Sequence, residues 1–203
     1  MEIRLQNSNT AGNDQVKENV KKRVSQIRNL SLNESTFPEI KLTAFSNSLL
    51  ELFRNGNKLA FIGNGGSAAE AMHLAAEFTG KCVLDHRPLP AMCLNESQSA
   101  LTAIANDYGV REIFSRQVEA HLVKDDVLIA LTTSGSSENI LHAIDKAIEI
   151  GVRVIVWTGE KDLSISSVEV WNVPSSSTPR VQEIHLAWGH IIAEAVESEL
   201  QKI

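Results

Sequence analysis

Cysteine is scarce in this sequence. Cys82 and Cys93 are the only two among 203 residues, too few and too far apart for a disulfide framework or a zinc knuckle. We expect two partly buried, unreactive thiols in a protein of a reducing compartment.

Long apolar runs and an excess of positive charge are also missing. No run approaches the roughly 20 apolar residues that cross a bilayer, and the polar N-terminal segment lacks the apolar core of a secretory signal. We therefore expect a cytoplasmic protein with no membrane partner. Lysine and arginine number 19 against 25 aspartates and glutamates, a formal net charge of −6. This balance argues against a nucleic-acid partner bound by bulk neutralisation of phosphate.

Length and composition indicate a folded globular protein. Hydrophobic residues make up 43% of the chain and charged residues 22%, as in ordinary globular proteins. A chain of this length can bury a sizeable core, and one domain is the first expectation.

The first 36 residues are predicted to form a polar tail and a helix. Residues 1–13 are rich in asparagine and are predicted to be loose, whereas apolar residues recur at helical spacing from Asp14 to about Leu30. A second amphipathic helix is predicted over 40–53, before the stop signal at 55–57. These helices need a partner surface, which another subunit can supply.

From residue 58 onward, short apolar segments alternate with helical patterns. Strands are predicted over 58–62, 89–94, 126–131, 152–157 and 168–173, and helices over 67–79, 97–105, 112–122, 138–150 and 179–200. Apolar strands separated by helices indicate a parallel sheet that is covered on both faces. The predicted fold is a doubly wound, Rossmann-like α/β domain over residues 37–203, with a five-stranded parallel sheet and a helical N-terminal extension.

The loop after the first predicted strand has the composition of an anion-binding site. Asn64, Gly65 and Gly66 precede a helix, where glycine permits a sharp turn and unpaired N–H groups face a ligand. The pattern also satisfies the dinucleotide fingerprint, with Asp85 at a suitable distance for a ribose, but the segment 81–84 is short for the strand that this requires. A tight turn without a ligand is the alternative at this loop.

A second loop, from Thr132 to Asn139, again joins an apolar strand to a helix. Five hydroxyl residues surround one glycine, and there is no lysine of the P-loop type. Hydroxyls and backbone amides can hold a phosphate monoester without a metal-bound nucleotide. Because an open α/β sheet binds ligands at the carboxyl ends of its strands, the two loops favour a small phosphorylated molecule over a nucleotide.

Two predicted helices carry polar residues on one face. His73 and Glu77 are four residues apart, and Gln182 and His190 are eight apart, within about 80° around the axis. Each pair could form half of a metal site. The alternatives are a solvated ion pair for His73 and Glu77 and an ordinary first-turn position for Gln182.

Taken together, these segments resemble the phosphoheptose isomerase family, whose members have a sugar isomerase (SIS) fold. The resemblance runs from about Phe37 to the C terminus. It rests on six blocks in the same order, at 63–67, 73–80, 105–109, 113–118, 132–139 and 181–190. Lys81 departs from the arginine that is common in the family, which keeps the charge but loses the forked donor geometry.

The resemblance implies the site residues. Zinc would be held by His73, Glu77, Gln182 and His190. The sugar phosphate would be bound by Asn64, Gly65, Gly66, Glu77, Asn106, Asp107, Thr132, Thr133, Ser134, Ser137 and Gln182, although Asn106 and Asp107 by themselves are typical of a helix stop. The family's active sites lie between subunits of a homotetramer, which would give the N-terminal helices their partner.

The implied reaction converts D-sedoheptulose 7-phosphate to D-glycero-D-manno-heptose 7-phosphate through an enediol, for heptose precursors of surface polysaccharide such as lipopolysaccharide. Glu77 is expected to be the general base and His190 the complementary acid–base group, with zinc as a Lewis acid. One alternative is a non-enzymatic relative of the same fold that binds the bacterial replication initiator and lacks this acid–base pair. The other is an SIS module that senses a sugar phosphate without converting it. The presence of both Glu77 and His190 favours the enzyme.

Overall fold

The computed structural model describes residues 10–161, 163 and 165–201. In chain order the elements are α1 (Thr10–Ser31), α2 (Glu39–Arg54), β1 (Leu59–Gly63), α3 (Gly66–Thr79), β2 (Ala91–Cys93), α4 (Gln98–Tyr108), α5 (Ser115–His121), β3 (Val127–Thr132), α6 (Glu138–Glu149), β4 (Arg153–Thr158), β5 (Glu169–Asn172) and α7 (Thr178–Leu200). Short 3-10 turns lie before α2 and α5.

Most predicted elements are confirmed, but β2 has three residues where six were predicted, and three helix boundaries differ by three residues or more. Helix α1 begins at Thr10, so 10–13 is not loose; residues 1–9 lie outside the described residues, and their looseness stays a prediction. Helix α5 begins three residues later than predicted because a 3-10 turn occupies 110–112. Helix α4 continues past the expected stop at 106–107 and ends at Gly109, whose φ of 94° does not continue a helix.

The five strands form one parallel sheet in the order β2-β1-β3-β4-β5, which confirms the predicted fold class. Alternate strand residues face opposite sides, so Phe61 and Ile129 belong to one core and Ala60 and Leu128 to the other. Helices α2, α3 and α7 cover the first face, and α5 and α6 cover the second.

The order in which successive strands are added to the sheet reverses between β1 and β3, with β2 on one side of β1 and β3, β4 and β5 on the other. Strands β1 and β3 are neighbours, yet α3 leaves β1 toward one face and α6 leaves β3 toward the other. The two loops therefore open onto one crevice at the carboxyl edge of the sheet, which is where doubly wound folds bind ligands.

Helix α1 exposes the apolar stripe predicted for it. Val16, Val20, Val24 and Ile27 have between 39% and 61% of their surface exposed in the single chain. The domain boundary between residues 36 and 37 stays a prediction. Within the described ranges, no helix is both long enough and apolar enough to span a membrane.

Helices α3 and α7 run side by side at very short range. A methyl group added at Gly189 would collide with the Leu74 side chain, so this pair sets how closely the two helices approach. Ser67 contacts Gln182 near the start of both helices. The same packing places the residues that flank Leu74 on α3 opposite the residues that flank Gly189 on α7.

Substitution of Gly189 with valine is expected to lower the free energy of unfolding by about 1–3 kcal/mol, because the added side chain forces the helices apart. Urea denaturation measures the change. The control is Ser198→Ala on the exposed side of α7, which should change stability by less than about 0.5 kcal/mol. A Gly189→Val protein as stable as the wild type would contradict the tight packing.

Candidate active site

A polar cleft of about 140 Å³ lies between the two predicted anion-binding loops. Its lining is uncharged and consists of Asn64, Gly66, Ser67, Leu131, Thr132, Thr133, Ser134, Ser137, Thr178 and Gln182. Helices α3, α6 and α7 all begin at this cleft. Since helix N-termini carry partial positive charge and unpaired N–H groups, the cleft can hold an anion without a lysine or arginine.

The loop backbones take conformations that require glycine. Gly65 has a φ of 56° and Gly135 a φ of 66°, which side-chain-bearing residues rarely adopt. The Thr132 hydroxyl accepts a hydrogen bond from the Gly135 N–H at 3.2 Å. Ser137 is the N-cap residue of α6, yet its side chain makes no capping hydrogen bond, so its hydroxyl can serve a ligand in the cleft.

Asn139 and Asn95, which sequence reasoning did not select, hold the loops in place. The side-chain amides of Asn64 and Asn139 exchange two hydrogen bonds, of 2.8 and 2.9 Å, and so fix one loop against the other. Asn95 accepts from the Gly63 N–H at 3.2 Å and donates to the Gly63 carbonyl at 2.9 Å. In the sequence, each is only a polar residue beside a strand end or in the first turn of a helix. Such residues are too common to identify a site.

The cleft continues along the groove between α3 and α7. A second cavity of about 540 Å³ shares Gly66 and Gln182 with the first and extends to His73 and Glu70. A methyl group at Gly66 would strike the Gln182 amide, so glycine lets the two helix starts meet. The cavity beside the middle of α3 and the cleft between the loops therefore border each other at Gly66 and Gln182.

His73, Glu77 and His190 converge next to this groove. Nε2 of His73 lies 2.8 Å from Nε2 of His190 and 3.3 Å from Oε1 of Glu77, and one ligand atom from each of the three residues lies within 4.8 Å of the others. The two histidines are 117 residues apart in sequence. Glu77 is half-buried while His73 is exposed, so the cluster is accessible to a substrate.

Known proteins are similar to this chain in sequence and in architecture. A family model described as SIS domain matches residues 25–159. The phosphoheptose isomerase of Geobacter sp. (strain M21) is 48% identical over 154 residues, which cover 75% of this chain and 80% of that protein. The chain belongs to the phosphoheptose isomerase family. A second member, from Rhodospirillum rubrum, is 50% identical over 149 residues, covering 72% of this chain and 79% of its own.

A solved structure supports the same family assignment. Phosphoheptose isomerase GmhA from Neisseria gonorrhoeae matches the chain with a TM-score of 0.81 at 33% identity, covering 90% of this chain and 99% of the other. The likeness therefore includes the sheet and the helices that carry the cluster.

Of the remaining residues expected for a phosphoheptose isomerase, Gln182 lies at the cleft, whereas Asn106 and Asp107 do not line it. Gln182 lines the cleft and the neighbouring cavity, and its amide nitrogen donates a hydrogen bond of 3.4 Å to the Ser67 hydroxyl. Asn106 and Asp107 are exposed at the end of α4, where the Asn106 amide donates to Asp107 at 2.7 Å. Neither of them is among the residues that line the cleft. Their roles in metal and substrate binding stay predictions.

Glu70 is a buried carboxyl in the wall of the groove. Only 5% of its surface is exposed, and neither oxygen has a hydrogen-bond partner among the described residues. Burial raises the pKa of Glu70 to about 7, outweighing the lowering effect of the nearby Ser67 hydroxyl. A phosphoheptose isomerase site thus has a titratable group beside it that sequence reasoning did not select.

The burial of Glu70 predicts a loss of stability as pH rises. The folded state binds this proton up to about pH 7, whereas the unfolded state loses it near pH 4.5, so the free energy of unfolding falls across this window. Relative to that of Glu70→Gln, the free energy of unfolding of the wild type should fall by roughly 3 kcal/mol at most between pH 5 and pH 8. Urea denaturation of both proteins at several pH values measures the difference; a difference that is independent of pH would contradict it.

Proposed function

We propose that the protein interconverts sedoheptulose 7-phosphate and D-glycero-D-manno-heptose 7-phosphate, for heptose precursors of surface polysaccharide. The observation that carries the proposal is the cluster of His73, Glu77 and His190, beside a cavity that borders the cleft between the two predicted anion-binding loops. Curated relatives that share about half of their aligned residues with the chain are phosphoheptose isomerases.

The spacing within the groove suits a substrate whose phosphate and reacting carbons lie at opposite ends. Gln182 borders the loop cleft, and His190 lies eight residues further along α7, about 12 Å at the rise of an α-helix. A ketose phosphate with its phosphate between the loops would extend its first carbons toward His190 and Glu77. The residues that line the cleft include no cationic side chain. Helix N-termini and hydroxyl groups would therefore bind the phosphate.

The chemistry follows from a carboxylate and an imidazole that lie close enough together to reach neighbouring atoms of the first two carbons. Glu77 takes the proton from C1 of the ketose while His190 donates a proton to the oxygen on C2, which yields an enediol. His190 then takes the proton from the oxygen on C1, and Glu77 returns its proton to C2, which yields the aldose. Proton transfers of this kind contribute typically 10²–10⁴-fold each.

The donor set of the cluster fits zinc. Two imidazole nitrogens and one carboxylate oxygen lie within 4.8 Å of one another, and these ligand types are the ones that zinc takes in catalytic sites. We assign His73, Glu77 and His190 to the ion, with Gln182 as the fourth ligand once its amide leaves Ser67. Because a metal ligand must be deprotonated, Glu77 and His190 would transfer protons only while they do not hold the ion. A bound zinc ion would stabilise the negative charge that develops on the sugar oxygens.

The proposal includes a homotetramer with active sites between subunits. Two features support it: the exposed stripe of α1 is an apolar face that needs cover, and Asn106 and Asp107 are exposed and do not line the cleft of their own chain. In a tetramer these two side chains can complete the site of a neighbour. Sedimentation equilibrium measures the assembly.

Incubation with sedoheptulose 7-phosphate tests the function directly. Aldose formation should be observed by NMR or a coupled assay, should fall after exhaustive chelation and should return with zinc. Tight binding of the sugar phosphate without turnover would instead identify a sensor. No binding and no turnover, with purified zinc-loaded protein, would contradict the proposal.

A further inference from the structure

Thr178, the first residue of α7, lines the cleft between the two predicted anion-binding loops. Sequence reasoning did not select it, because it belongs to neither loop. Thr178 is exposed, and it shares the cleft with Ser134 and Ser137 of the second loop. The start of α7 therefore forms a third wall of the cleft and adds a hydroxyl group to those of the loops.

Serine is the N-cap residue of α4, α6 and α7, but it caps only the helix that begins away from the cleft. The Ser97 hydroxyl accepts a hydrogen bond from the Ala100 N–H at 3.2 Å and so caps α4. Ser137 precedes α6 and Ser177 precedes α7, and neither side chain makes a capping hydrogen bond. Since a cap satisfies one of the unpaired N–H groups of the first turn, α6 and α7 keep these groups for a ligand.

Main-chain contacts hold the start of α7 at this edge of the sheet. The Ser177 N–H donates to the Ser175 hydroxyl at 3.2 Å. A methyl group at Gly159 would lie 2.8 Å from the Thr133 carbonyl oxygen and 3.0 Å from the Ser175 carbonyl oxygen. The second loop and the segment before α7 therefore approach each other closely, and this approach keeps Thr178 at the cleft.

We propose that Thr178 is a further substrate-binding residue, whose hydroxyl donates a hydrogen bond to the phosphate of the substrate. No cationic side chain lines the cleft, so N–H and O–H groups are the donors that a phosphate meets there, and hydrogen bonds to an anion are strong ones. Because α3, α6 and α7 all begin at the cleft, a phosphate monoester can direct one of its three terminal oxygens to each helix start. A diester has two terminal oxygens and would leave one start unpaired. The effect of Thr178 on turnover rests on the proposed function, whereas its effect on phosphate binding does not.

Three substitutions of Thr178 separate the hydroxyl from side-chain shape and from helix stability. Thr178→Val keeps the branched shape without the hydroxyl, Thr178→Ser keeps the hydroxyl, and Thr178→Asp adds a negative charge that a helix N-terminus tolerates. Thr43→Val, at an exposed position on α2, is the control for the same chemical change. Each protein is measured for kcat and KM with sedoheptulose 7-phosphate, for the Kd of methyl phosphate and of dimethyl phosphate by calorimetric titration, and for urea unfolding.

Thr178→Val is expected to raise KM and the Kd of methyl phosphate by about 10–100-fold, as loss of a hydrogen bond to a charged group does. Its kcat should not change, because the contact is equally strong in the ground state and in the transition state. Thr178→Asp should raise both constants by about 100-fold or more through repulsion of the phosphate. Thr178→Ser and Thr43→Val should behave as wild type, and the wild type should bind methyl phosphate more tightly than dimethyl phosphate.

A folded Thr178→Val protein with the wild-type KM and the wild-type Kd of methyl phosphate would overturn the proposal. Equal losses in Thr178→Val and Thr178→Ser would also overturn it, because the hydroxyl would then make no difference. If Thr178→Val does not fold, the other two variants decide: equal Kd values for serine and aspartate mean that Thr178 does not face the phosphate. A wild type whose binding of methyl phosphate depends on Thr178, but which does not isomerise sedoheptulose 7-phosphate, would refute the proposed function and leave this role intact.

Discussion

Replacement of Glu77 with glutamine is expected to lower kcat for the isomerisation by about 10²–10⁴-fold, because an amide cannot accept the proton from C1. His190→Gln should cause a loss of the same order, because the amide of glutamine can form hydrogen bonds but cannot give a proton to the C2 oxygen or take one from the C1 oxygen. Both side chains reach the cluster without filling the core, so the variants should fold normally. Steady-state kinetics with sedoheptulose 7-phosphate measure both effects.

The control for these variants is His121→Gln, at an exposed position at the end of α5. It should leave kcat and KM unchanged. Zinc content has to be measured alongside, because loss of a ligand and loss of a proton acceptor both lower kcat. A Glu77→Gln enzyme with the wild-type kcat would refute the role assigned to the carboxylate.

Aspartate at position 137 is expected to raise KM for the sugar phosphate by about 100-fold. Ser137 is the N-cap residue of α6 and lines the cleft, and its hydroxyl makes no capping hydrogen bond. Aspartate caps helices as well as serine does, so the fold should tolerate it. A second negative charge within a few ångströms of the phosphate costs several kcal/mol, and each 1.4 kcal/mol is tenfold in affinity.

The matched variant is Ser137→Asn, which is also a good helix cap but carries no charge. It should keep KM within an order of magnitude of the wild type. The comparison isolates charge from shape and from helix stability. Equal KM values for the aspartate and asparagine proteins would mean that no anion binds between the loops.

The sequence predicted the sheet and both loops because their signals are local. Apolar strand segments, glycine at a strand end and a run of hydroxyl residues can each be recognised within a few residues. The parallel order then follows from the alternation of strands and helices. The positions of Asn64 and Ser137 at one crevice were therefore predictable before any coordinates.

The convergence of His73 with His190 could not be derived from local patterns. It depends on the approach of α3 to α7 at Leu74 and Gly189, and no periodicity in either helix encodes which partner it packs against. The family resemblance supplied that information. It did not supply Asn139, whose amide pairs with Asn64, because the pairing appears only when the two loops are adjacent.

Buried carboxyls were the least predictable feature. Glu70 and Glu197 stand in amphipathic helices where a surface position is the usual expectation for glutamate. Their burial depends on tertiary neighbours, with backbone amides around Glu197 and no hydrogen-bond partner for Glu70 among the described residues. Such groups can be found only from the folded arrangement.

The central claim is that one groove holds a metal-binding acid–base cluster at one end and a phosphate at the other. A crystal structure with zinc and sedoheptulose 7-phosphate, with anomalous diffraction measured on both sides of the zinc edge, tests it most directly. We predict an anomalous peak between His73, Glu77 and His190, and phosphate density beside Ser134 and Ser137. A zinc peak elsewhere, or a sugar phosphate bound outside the loop cleft, would contradict the account.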